Sequence, residues 1–68
     1  AYMDSVNIYL PGLDITFHIT ESFIQMITRD DIKTVSWDDM MQYLIYDTDT
    51  NKVYDLTYAE VEVEPVLP

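Results

Sequence analysis

Residues 20–27 read Thr20-Glu21-Ser22-Phe23-Ile24-Gln25-Met26-Ile27 and run on into Thr28-Arg29-Asp30-Asp31. The class of the fold turns on what these residues form. Thr20 and Ser22 are candidate N-caps, and Ser22-Phe23-Ile24-Gln25 has the spacing of a capping box, in which serine and glutamine side chains each satisfy a backbone N–H of the first turn. Phe23, Ile24 and Ile27 fall at helical spacing and would give one apolar stripe. The stretch therefore predicts a short helix that ends at Arg29-Asp30-Asp31 or gives way to a loop there.

Upstream, the pattern changes to a period of two. Val6, Ile8 and Leu10 alternate with Asn7 and Tyr9; Leu13, Ile15, Phe17 and Ile19 alternate with Asp14, Thr16 and His18. Such alternation marks half-buried strands. Pro11-Gly12 between them suits a type II turn, with glycine at positive φ. That turn twists against a two-residue hairpin, so pairing is expected through a wider loop.

Downstream, Val35-Ser36-Trp37-Asp38-Asp39-Met40 carries a second helix start. Ser36 is the N-cap, Val35 and Met40 have the spacing of a hydrophobic staple, and Asp38 and Asp39 lie where the helix dipole favours negative charge. The helix is expected from Trp37 to Tyr43 or Leu44, and Tyr43-Leu44-Ile45-Tyr46 either finishes it or opens a strand. A turn over residues 47–52 follows, with Asn51 suited to the left-handed conformation. Residues 53–64 are rich in β-branched and aromatic side chains and read as strand. Their phase shifts midway, so a bulge or break is expected near Tyr58-Ala59, and Pro65 and Pro68 are expected to stop the ladder. The predicted fold is α+β: a small antiparallel sheet of about four strands, in chain order ββααββ, with two short helices packed on one face as a single small domain over residues 1–68.

Sixty-eight residues without cysteine leave neither disulfides nor thiolate metal sites to reinforce a small core. Apolar residues make up 49% of the chain, enough to argue for a packed core rather than disorder. Thirteen acids against three bases give a net charge of -10. Such a chain repels nucleic acid and anionic membrane and is drawn to cationic surfaces. No apolar run approaches the length of a membrane span, and no secretory signal is visible, so cytoplasm is the expected compartment (host cytoplasm for a viral protein).

Catalytic constellations find little support. His18 is the sole histidine and is predicted on the polar face of a strand; Ser22 and Ser36 already have roles as caps, and a short chain has little wall for a substrate pocket. No enzymatic activity and no cofactor are expected. Asp47, Asp49, Asn51, Val53 and Asp55 follow a calcium-loop register, yet Lys52 replaces the glycine of the sharp turn and Tyr58 the bidentate glutamate, so a hairpin turn explains the run better than a weak cation site.

The candidate binding residues are acidic and aromatic. Glu60, Glu62 and Glu64 alternate with valines, which would place three carboxylates on one strand face about 6.6 Å apart, comparable to the spacing of nucleic-acid phosphates. Asp38 and Asp39, and Asp47 and Asp49, form two further clusters; Tyr54 and Tyr58 are candidate interface anchors. These features point to an acidic binding or inhibitor protein that blocks a basic surface of a protein partner, including a nucleic-acid-binding enzyme, in the manner of phage DNA mimics and of anti-restriction or anti-CRISPR proteins. The alternative is a small assembly module that forms a homo-oligomer through a sheet edge or its tyrosine-rich face.

Overall fold

The computed structural model describes residues 4–67. Strands β1 (Ser5–Leu10) and β2 (Ile15–Ile19) pair antiparallel, with Leu10 opposite Ile15 across a four-residue loop. Within that loop Leu13 N–H donates to the Leu10 carbonyl at 3.2 Å. Asp14, not Gly12, takes the left-handed conformation, at φ 53°. The wider loop expected from the twist argument is what forms.

The stretch read as the first helix is a second pair of strands. β3 (Ile24–Ile27) pairs with β2 and with β4 (Ile32–Val35). Two turns of one design build these hairpins. The Thr20 hydroxyl accepts from the N–H groups of Ser22 and Phe23, both at 3.2 Å, and the Thr28 hydroxyl does the same for Asp30 and Asp31, at 3.3 and 3.2 Å. Thr20 N–H donates to Phe23 O at 3.0 Å and Thr28 N–H to Asp31 O at 2.9 Å, closing each turn. Thr20 therefore organises a hairpin turn instead of capping a helix. Ile24 and Met26 are buried while Gln25 and Ile27, which alternate with them, are not, which is the period of two. The apolar spacing of Phe23, Ile24 and Ile27 fitted a helix by coincidence. An isolated helix of one or two turns is marginal, whereas β3 has its backbone satisfied from both sides.

The expected ββααββ layer is thus corrected. A five-stranded antiparallel sheet runs in the order β4-β3-β2-β1-β7, its last member being β7 (Glu62–Val66), and one helix, α1 (Trp37–Met41), precedes a separate hairpin of β5 (Leu44–Asp47) and β6 (Lys52–Asp55). α1 begins where expected. Ser36 Oγ accepts from Asp39 N–H at 3.1 Å, and Asp38 and Asp39 occupy the first turn. It stops at Met41, short of Tyr43, because Leu44 is already paired with Asp55. Ser36→Ala should cost about 1 kcal/mol, and thermal unfolding followed by circular dichroism should register it as a fall of roughly 4–8 °C.

The run of residues 53–64 also divides. β6 ends at Asp55, a turn follows, Tyr54 and Glu60 form an isolated bridge, and the last strand, β7 (Glu62–Val66), pairs with β1. The expected break near Tyr58 is a full turn. Pro65 does not stop the ladder; it lies opposite Val6 inside β7. β7 is a sheet edge, where a residue without an N–H is tolerated. Pro68 lies outside the described residues.

One face of the large sheet carries the core. Leu10, Ile15, Phe17, Ile24 and Met26 are buried there with Met40 of α1. The Phe17 ring meets Tyr43 at 5.8 Å between centroids. Among the described residues no helix is long and apolar enough to cross a membrane.

Candidate functional site

Asp55 is fully buried and ties the hairpin to the loop between β1 and β2. Its Oδ2 accepts from Gly12 N–H at 2.7 Å. Its Oδ1 accepts from Thr57 N–H at 2.7 Å, from the Thr57 hydroxyl, and from Ala59 N–H at 3.3 Å. Burial pushes this carboxyl up. The donors outweigh it, the Thr57 hydroxyl first and then the N–H groups of Thr57, Gly12 and Ala59, and hold the group below the usual carboxylate range. Asp55 also shapes the turn that follows: its N–H donates to Ala59 O at 2.8 Å and its carbonyl accepts from Tyr58 N–H at 2.9 Å. Tyr58 is left at φ 66°. That is an uncommon conformation for any residue but glycine, asparagine or aspartate.

This turn presents a cluster of tyrosines. Tyr58 is 73% exposed, and its ring lies 6.3 Å from that of Tyr54. With Ile45, Tyr46, Asp47 and Thr48 the two line an open depression of about 500 Å³. The Tyr46 hydroxyl donates to Asn51 Oδ1, and Asn51 takes the expected left-handed conformation, at φ 59°. Asp47 Oδ1 accepts from the N–H groups of Asp49, at 2.9 Å, and Thr50, at 3.4 Å. Asp49 is exposed at the tip of the turn.

A second depression, of about 310 Å³, lies on the other face of the hairpin, meets the first at the Tyr46 position of β5, and is apolar. Trp37, Met41, Val53, Val61 and Val63 line it with Tyr46. Trp37 and Met41 lie one helical turn apart, so their side chains share a face of α1. Trp37 is 60% exposed, Met41 53% and Val63 62%. Exposed apolar side chains grouped in this way on a small chain mark a surface suited to contact. Sequence reading missed this groove, because its walls come from α1, β5, β6 and β7 and no single segment announces them.

The candidate acids disperse. Asp38 and Asp39 are exposed on the first turn of α1, beside Trp37. Glu60 pairs with Lys52 at 3.4 Å and bridges Tyr54 of the hairpin. Glu62 and Glu64 lie on β7, in register with Tyr9 and Asn7, on the sheet face opposite the core. The face that holds Glu62 and Glu64 carries a row running Thr34, Gln25, His18, Asn7, Glu64 across five strands. His18 Nδ1 is hydrogen-bonded to Asn7 Oδ1 at 2.7 Å. On the adjacent row, burial and the neighbouring carboxylates of Asp14 and Glu62 push the Tyr9 phenol up.

The calcium-loop register is not assembled. Asp55 faces Gly12 and Thr57, while Asp47 closes its own turn. Among the described residues no group of three or more histidine, aspartate or glutamate side chains is placed to hold a metal ion. Compared with known protein families, curated proteins and solved structures, the chain matches none.

Proposed function

We propose that this protein is a non-enzymatic acidic binding protein that covers a basic surface of a protein partner. The observation that carries the reading is the charge left uncompensated on the folded surface. Of thirteen acids, Asp14 and Glu60 have a cation within 4.0 Å and Asp55 is buried; among the described residues the other ten are neither ion-paired nor buried. A net charge of -10 on a body about 32 × 32 × 19 Å produces a field that speeds association with cationic surfaces and opposes approach to phosphates. Exposed tyrosine, tryptophan and methionine supply the residue types that anchor protein interfaces.

The test is affinity capture from lysate at low and high salt, beside the variant D38N/D39N/E62Q/E64Q and with duplex DNA as competitor. The expected result is a basic partner retained at low salt, lost as salt rises, and held more weakly by the variant. Competition by DNA assigns the covered surface to nucleic-acid binding. A partner whose capture ignores both salt and the four substitutions overturns the reading.

A further inference from the structure

We infer that Tyr54, Tyr58 and Asp47, on one face of the β5–β6 hairpin, form a cup for an arginine side chain of the partner, and that the apolar groove around the β5 edge takes the apolar residues beside that arginine. This rests on the acidic-binding reading and gives it a location.

Three observations converge. Tyrosine faces attract a guanidinium, which stacks on them more readily than an ammonium does. The Tyr54 and Tyr58 rings stand 6.3 Å apart and tilted by 45°, and Asp47 adds a carboxylate at the same depression. Next, Tyr58 occupies a backbone position that suits glycine, yet carries a large ring that is 73% exposed. The ring meets Tyr54 and leaves most of its surface open to contact from outside the fold. Finally, the groove beyond Tyr46 offers an apolar surface on a molecule of charge -10. A second copy of the chain would bring that charge against itself. A segment with arginine among apolar residues matches both depressions in charge and polarity.

The probe is a short capped peptide of leucine and arginine, compared with the same peptide carrying neutral citrulline in place of arginine. Binding is followed by nuclear magnetic resonance of the tyrosine and tryptophan rings at roughly physiological salt, where long-range attraction is screened. The expected result is a saturable shift of the Tyr54, Tyr58 and Trp37 signals. Tyr58→Gly, which suits φ 66° and keeps the fold, should weaken binding about tenfold. Citrulline should do the same, Tyr58→Phe should retain most of the affinity, and E62Q/E64Q on the opposite sheet face should leave it within about twofold. Equal affinity for Y58G, or shifts confined to the open sheet face, overturns the cup. If that happens while capture remains salt-dependent, acidic binding stands at another surface. If the cup binds the arginine peptide but no salt-dependent partner is captured, the cup stands and the broader reading falls. A dimer that persists at high salt in light scattering and is dissolved by Y58G assigns the face to self-association and overturns the partner.

Discussion

Asp55→Ala should lower the melting midpoint by more than about 15 °C, and Asp55→Asn should lower it by less. Alanine leaves the N–H groups of Gly12, Thr57 and Ala59 and the Thr57 hydroxyl without their acceptor. Unmet donors at a closed site cost more than the hydrogen bonds contribute when formed. Asparagine offers one oxygen to Thr57 and Ala59, but its amide N–H₂ then faces the Gly12 N–H, donor against donor. Thermal unfolding by calorimetry orders the three proteins. The same carboxylate sets an acid limb. Its folded pKa lies below its unfolded value, so its stabilisation is present at neutral pH and is lost as pH falls through the carboxylate range and below it. Wild-type stability should therefore fall on acidification through and below the carboxylate range. Asp55→Asn should show little of that fall; an acid limb of equal depth in both proteins would refute the assignment.

Gly12→Ala should be the second most damaging single change, although Gly12 is solvent-exposed. A Cβ there would overlap Thr57 Oγ1 and lie 2.9 Å from Thr57 Cβ and 2.8 Å from Asp55 Oδ2. No side-chain rotation clears all three, so the loop must lift and release the Gly12 N–H from Asp55. Alanine for glycine ordinarily stabilises by about 0.4–1 kcal/mol through the unfolded chain. Overpacking costs about 1–3 kcal/mol, and the broken hydrogen bond adds to it, so destabilisation prevails. Thr57→Gly removes both Thr57 contacts and should restore part of the loss. A double-mutant cycle in urea measures that coupling; additive effects would show that the steric contact is not the cause.

Much of the β1–β2 hairpin and the start of α1 was legible, because each has a local signal with few competitors: unbroken alternation in residues 13–19, and serine followed by two aspartates at residues 36–39. The β2–β3 and β3–β4 turns were not. Neither contains glycine or a residue at positive φ, and both depend on a threonine hydroxyl, which also suits a helix cap. Asp55 read as a strand residue and as one position of a calcium-loop register, and only the approach of Gly12 from 43 residues away gives it its role. Of the candidate residues, Tyr54, Tyr58 and Asp47 line one depression, a grouping that the hairpin register decides. The groove on Trp37, Met41 and Val63 depends on β7 crossing to β1, a long-range pairing with no local signature.

The return of β7 to β1 bears on how the molecule opens. Four strands, β1 to β4, form a meander of near neighbours, but the last strand is held on one side only, by the first. Amide hydrogens of an edge strand exchange through openings cheaper than global unfolding. Val61 and Val63 belong to that departing segment and are also one wall of the groove. A ligand seated in the groove consequently acts as a clasp on the end of the sheet, slowing exchange along β7 in proportion to its occupancy.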